Sequence, residues 1–155
     1  MIRISRLTDY GIMLLTYIAR DPALMTRNAR DLATAANLPQ PTVSKILKIL
    51  AREGLLVAHR GVKGGFSLAR QPEEISVAEI ISALEGPIAL TECSVHALGR
   101  CQLERLCPVG SHWQRINQAV QGALENLTLA EMTHPLPQDF MALGERKRIE
   151  LHSAL

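Results

Sequence analysis

Aromatic side chains are scarce in this chain: one Trp, two Tyr and two Phe among 155 residues, or 3%. An aromatic core is excluded, so the interior has to be built from Leu, Ile, Val and Ala, which suits helices. Long apolar runs are missing too. The stretch MIRISRLTDYGIMLLTYIAR is interrupted by Asp9, Gly11 and Thr16, and no small-residue cleavage site follows it. It reads neither as an export signal nor as a membrane span. No phosphate-binding glycine loop, dinucleotide fingerprint or paired acid–base motif is present, which leaves an enzyme, such as an electron or cluster carrier, without support. Cysteine is absent outside residues 93–107, so no disulfide framework ties the fold together. The expected compartment is a reducing cytoplasm, with no membrane partner.

Hydrophobic residues at 47% and charged residues at 21% are globular values, those of one domain or a small domain with an appendage. Net charge is only +2, but it is unevenly spread. Residues 1–70 hold eleven Lys or Arg against four acids, and the rest holds six against eleven. That asymmetry makes the N-terminal half the one to meet a polyanion.

Residues 1–70 read as a DNA-binding region. In TDYGIMLLTYIAR, Tyr10, Met13, Leu14, Tyr17 and Ile18 form one helical stripe, with Thr8 or Asp9 available as cap. A second helix, ARDLATAANLP (29–39), stops at Asn37–Pro39, and a third, QPTVSKILKILAREG (40–54), begins with Pro41 and ends at Gly54. On the third helix Val43, Ile46, Leu47 and Leu50 share one face. Pro41, Lys45, Lys48 and Arg52 occupy the opposite arc, flanked by Thr42 and Ser44. Two helices joined by a short turn, the second basic and polar at its start, describe a helix-turn-helix. The segment LLVAHRGVKGGFSLAR (55–70) follows as two short strands, 55–58 and 66–69, around a glycine turn carrying Arg60 and Lys63. The expected partner is double-stranded DNA. Thr42, Ser44 and Lys45 would read base edges, Lys48 and Arg52 would contact phosphate, and Arg60 would enter the minor groove beside Lys63.

Residues 76–132 read as a capped helix, a cysteine loop and a long helix. Ser76 and Glu79 make a capping box and Gly86-Pro87 stops that helix. From His112 onward, Trp113, Ile116, Val120, Leu124 and Leu127 form a seam suited to packing against another helix, in a second copy as a two-fold homodimer, the natural inference, or in the chain's own domain. Residues 133–155 form a tail without assigned function. The fold class is thus mostly α: a winged helix-turn-helix with a small hairpin wing, a cysteine loop and a long C-terminal dimerisation helix.

Cys93, Cys101 and Cys107 are spaced C-x7-C-x5-C. Zinc knuckles use closer pairs, so the wider gaps suit a loop wrapping a larger object such as an iron–sulfur cluster; zinc or metal-free redox thiols stay open as alternatives. A fourth ligand could be His96, His112, Asp9 or Glu92.

The order of winged helix, SVAEIISALEGP, three-cysteine loop and Trp-bearing helix resembles the IscR and NsrR family of iron–sulfur transcription regulators over about residues 1–132. Its marks are LTDYGIMLL, QPTVSKILKIL, RGVKGGFSL and the cysteine loop, and the chain looks most like proteobacterial regulators of the SUF cluster-assembly operon. The resemblance implies a homodimeric redox sensor or repressor whose promoter binding changes with its cluster. IscR proteins complete a 2Fe–2S site with a histidine; here Gly110 takes its place, with His112 two residues on, and the first cysteine gap is longer than usual. LTDY matches the NsrR-like pattern, in which an aspartate of the partner subunit completes a 4Fe–4S site. Asp9 is therefore the first choice for fourth ligand and His112 the second, with 4Fe–4S ahead of 2Fe–2S. A nitric oxide sensor is a variant of the same reading.

Overall fold

In the computed structural model the described residues are 3–20, 26–61, 64–91 and 107–134. Three helices come first: α1 (Arg6–Ala19), α2 (Ala29–Ala36) and α3 (Gln40–Arg52). A hairpin of β1 (Leu56–His59) and β2 (Gly65–Leu68) follows, then a 3₁₀ turn at Pro72–Glu74. The remaining helices are α4 (Val77–Glu85), α5 (Gly110–Glu125) and α6 (Leu129–Thr133). The winged helix-turn-helix expected from the sequence is thus present. Among the described residues no helix is long and apolar enough to cross a membrane.

The core is aliphatic, as the shortage of aromatics requires. Leu14 and Leu15 of α1, Leu32 of α2, Val43, Ile46, Leu47 and Leu50 of α3, Ile80 of α4 and Leu129 of α6 are all buried together. Each contributes on the order of 1.5–3 kcal/mol by leaving water. On α3 all four expected inward positions are buried; on α1 Leu14 and Ile18 are buried as expected, while Tyr10, Met13 and Tyr17 are half-buried and Leu15, outside the expected stripe, is buried.

The long helix expected from His112 to Met132 is two helices. It starts earlier, at Gly110, and breaks after Glu125, where the chain turns back toward the winged helix. There the backbone exchanges two hydrogen bonds with the start of α4: Val77 N donates to Leu127 O and Leu129 N donates to Ile75 O, both at 2.8 Å. Ser76 and Thr128 lie opposite each other in this bridge, and each caps its own helix in a capping box, with Glu79 and Glu131 respectively. A local Thr-x-x-Glu signal therefore overrides the longer apolar period. It delivers Leu129 into the core against α1.

α1 begins one turn earlier than the capping expectation. Its cap is Ser5, whose Oγ accepts from Thr8 N at 3.3 Å, and neither Thr8 nor Asp9 serves that role. Thr8 is fully buried and donates its hydroxyl to Glu85 Oε1 at 2.6 Å, while Ser5 N donates to the same oxygen at 2.8 Å. The last residue of α4 is thereby clamped to the first turn of α1. Beside it, a Cβ on Gly11 would run into the side chain of Leu84, so glycine allows the two helices their close approach.

The hydrogen bond from Thr8 holds the Glu85 carboxyl below the usual carboxylate range, partial burial opposing it and Ser5 adding to it. A carboxyl depressed on folding stabilises the native state above its unfolded value and loses that effect as pH falls through the folded value. Thr8→Val should cost about 1 kcal/mol at neutral pH. The gap to the parent should narrow as pH falls below about 4.5, the ordinary carboxyl value. Urea denaturation at pH 7 and in mild acid measures both; a gap that widens in acid would refute the clamp.

Candidate nucleic-acid interface

α3 turns its apolar face to the core and leaves a shallow groove along the other, lined by Pro41, Ser44, Lys45, Lys48, Ile49 and Arg52. Lys45, Lys48 and Arg52 are exposed, while Thr42 and Ser44 are half-buried at the N-terminal end. Arg52 shares its charge with Glu53 through an exposed ion pair at 3.0 Å, a weak tie that leaves it available. No side chain caps α3, and its first turn carries no acid, so the positive end of the helix dipole is uncompensated.

The turn before α3 is set by Asn37, whose left-handed backbone (φ 52°, ψ 45°) ends α2. Its neighbour Leu38 donates N–H to Ala33 O at 3.0 Å, closing the turn. Asn is one of the few residues that adopt this conformation cheaply. The turn forms a second shallow depression, with Arg30, Thr34 and Gln40 on its walls, that adjoins the start of α3.

The hairpin pairs Leu56 with Leu68 and His59 with Gly65 in antiparallel register, one residue later on β1 and one earlier on β2 than expected. Arg60 is exposed immediately after β1; Lys63 lies outside the described residues. The wing has a third rung that the sequence reading missed. Arg27 exchanges two backbone hydrogen bonds with Phe66, at 2.9 and 2.8 Å, fastening β2 to the chain before α2. Within the wing His59 Nε2 and Ser67 Oγ are hydrogen-bonded at 2.8 Å.

The second candidate set is only partly described. Cys107 is a free, half-buried thiol just before α5. Cys93, Cys101, His96 and Glu92 lie outside the described residues. His112 is exposed on the first turn of α5. Asp9 is exposed on α1, and among the described residues its carboxylate makes no hydrogen bond or ion pair. Since Ser5 is the cap, the ordinary structural job for Asp9 is already taken. Among the described residues no three His, Cys, Asp or Glu side chains gather as a metal site.

The expected seam on α5 divides between two faces. Val120 and Leu124 are half-buried, while Ile116 (45% exposed) and Trp113 (39%) open to solvent with Val109 (48%) and Leu127 (43%). Asn117, in the middle of this pattern, is buried; periodicity gave no sign of it.

A family model described as Rrf2, iron-dependent transcriptional regulator, matches residues 4–135. The chain is 28% identical over 130 residues to the HTH-type transcriptional regulator NsrR of Halalkalibacterium halodurans, covering 84% of this chain and 89% of that one. Among solved structures it is similar to CymR, the global cysteine regulator of B. subtilis, with a TM-score of 0.68 and 27% identity over 86% of this chain and 97% of that one. The IscR of T. potens shares the fold, with a TM-score of 0.65 and 24% identity over 84% of this chain and 85% of that one.

The third rung of the wing makes a structural prediction. A Cβ on Gly65 would lie 2.6 Å from Arg27 O, a backbone atom that cannot move aside. Gly65→Ala should therefore break the Arg27–Phe66 rung while sparing the helical core. Amide hydrogen exchange at Phe66 should accelerate at least tenfold, with Leu47 and Leu50 unchanged; protected Phe66 would refute it.

Proposed function

We propose a function from one premise: the chain belongs to the Rrf2 family of iron-dependent transcriptional regulators, a family of DNA-binding proteins and not of enzymes. It acts as a homodimer that binds promoter DNA through α3 and the wing and responds to an iron–sulfur cluster. The proposed target is the set of SUF cluster-assembly genes, which follows from the sequence resemblance.

The observation that carries the DNA-binding reading is the groove on α3, where Lys45, Lys48 and Arg52 stand in one row with Ser44 while the opposite face is sealed in the core. Thr42, Ser44 and Lys45 are assigned to base edges, Lys48 and Arg52 to phosphates, and Arg60 and Lys63 to the wing's groove. A second copy is the proposed occupant of the apolar stripe of Val109, Trp113, Ile116 and Leu127. Two α3 helices then face half-sites about one turn, ~34 Å, apart.

The cluster assignment is supported by the family's iron dependence, three cysteines within one short segment, and Asp9. The donors fit: Cys107 is a free thiol, and Asp9 is an exposed carboxylate in the first turn of α1 that makes no hydrogen bond or ion pair among the described residues. Cys93, Cys101 and Cys107 would hold the cluster with Asp9 of the partner subunit, or with His112 instead. Bound there, the cluster would supply sensitivity to iron supply, oxidants or nitric oxide. A second reading is favoured by the likeness to a global cysteine regulator: the same three thiols would act with zinc or without metal.

The deciding experiment is a visible spectrum with iron and sulfide analysis of the protein purified without oxygen. A broad shoulder with about four irons supports Asp9, resolved bands with about two support His112, and a sample colourless after reconstitution leaves the thiol reading. Cys107→Ala should abolish the chromophore, and retention of full colour would remove Cys107 from the ligand set. In DNA titrations Lys48→Ala should weaken specific and random sequences alike and lower the salt slope by about one. Arg60→Ala should weaken operator binding by roughly tenfold, most for A·T-rich flanks; unchanged affinity would refute its minor-groove role.

A further inference from the structure

We propose that Asn117 is the positioning residue that holds both roots of the cysteine segment together; this rests on the cluster assignment above. Asn117 is the eighth residue of α5 and is 6% exposed, one of three buried polar residues among those described. Its side chain is not a surface group turned inward by chance. Its Oδ1 accepts from Leu90 N at 3.0 Å and its Nδ2 donates to Ile88 O at 3.2 Å, so both halves of the amide are used on one short stretch of backbone.

The position of that stretch gives the contact its meaning. Residues 88–90 are the exit from α4, and Thr91 is the last described residue before the segment that carries Cys93 and Cys101. The chain re-enters the described structure at Cys107, and Gly110 N donates to Cys107 O at 3.3 Å as α5 begins. The chain from Leu90 through all three cysteines to Asn117 is therefore a loop closed by the two hydrogen bonds of one side-chain amide. Holding the ends of the loop together in this way lowers the entropy lost when three thiolates converge on one object. A hydrophobic residue at this place would satisfy the packing of α5 but leave Leu90 N–H and Ile88 C=O without these partners. An amide presents a donor and an acceptor side by side in one planar group, the pair that Ile88 C=O and Leu90 N–H use here, whereas a carboxylate offers acceptors alone. The contact does not depend on the interface between subunits, since all its atoms lie in one chain. Outer residues that hold a metal's ligands in place typically change its retention by about 10–100-fold.

The test uses full-length protein, reconstituted with ferrous iron and sulfide without oxygen. Asn117→Leu and Asn117→Asp are compared with the parent and with Thr128→Ala, which removes the cap of α6 far along the chain from residues 88–90. Each is challenged with EDTA, and the decay of visible absorbance is followed; thermal melts of the cluster-free proteins give the general loss of stability. Asn117→Leu should take up as much iron as the parent and lose it on the order of tenfold faster. Asn117→Asp should fall between them, since it retains an acceptor for Leu90 N–H. Thr128→Ala should decay like the parent even if it melts as low as Asn117→Leu. Equal decay for Asn117→Leu and the parent would overturn the proposal. So would equal acceleration in Thr128→Ala, which would reduce Asn117 to a contributor to stability. A parent protein that takes up no chromophore would instead overturn the cluster assignment itself, and the positioning role with it.

Discussion

Burial of Leu129 is the constraint on which the geometry of the second half depends. After α5 the chain returns to the winged helix, where its backbone at residues 127–129 bonds to that at 75–77 and Leu129 enters the core beside α1. The two backbone hydrogen bonds between 75–77 and 127–129 lock that return in register. Without it α5 would be an appendage attached at one end. With it, α5 is anchored by the bridge at its C-terminal end and by Asn117 nearer its start, so its exposed stripe has a fixed orientation relative to α3.

That fixed orientation is what the proposed dimeric DNA reader needs. Half-site spacing tolerates little change, because a recognition helix displaced by a few ångströms no longer meets its base pairs. The polar side of the molecule is arranged to match. α3 carries Lys45, Lys48 and Arg52 and the wing carries Arg60, while the capping boxes place Glu79 and Glu131 on α4 and α6 and the clamp places Glu85 at the end of α4. α3 is left without a capping side chain at the end expected to approach phosphate. A helix whose job was only structural would gain about 1 kcal/mol from such a cap.

Local signals were legible in the sequence where one short-range rule acted alone. The stripe of α3 gave its inward face and that of α1 gave Leu14 and Ile18 but not Leu15, Asn37 gave the end of α2, and Ser76 with Glu79 gave the start of α4. The misreadings arose where tertiary partners decide. Ser5 caps α1 because Thr8 is engaged with Glu85, a residue 77 positions away. The period of α5 ran on through Leu127 in the sequence, yet Thr128 and Glu131 break it, and only the bridge to Ile75 and Val77 gives that break a reason. Arg27 joins the wing through backbone atoms, which leave no trace in side-chain pattern. Asn117 looked like an interruption of an apolar seam and is instead the polar group which that face is built to bury. For the candidate site, the donors could be named from residue type and spacing, but Cys93, Cys101 and Lys63 lie outside the described residues and stay at the level of sequence.

The energetics of the proposed switch are modest, and this bears on where it resides. A ligand changes an equilibrium only by the difference in its affinity for the two states. A hundredfold change in promoter affinity corresponds to about 2.7 kcal/mol. That is comparable to two or three ordinary intramolecular hydrogen bonds at about 1 kcal/mol each. The core cannot be the moving part, because repacking even one buried leucine costs as much or more. The polar joints are of the right size: Glu85 with Ser5 and Thr8 between α4 and α1, and Asn117 with Ile88 and Leu90 between α5 and the exit of α4. Glu85, Ile88 and Leu90 lie on the chain between the wing and the cysteines, and Asn117 lies beyond them on α5. In the proposed sensor these joints are the contacts weak enough to change with the cluster's state.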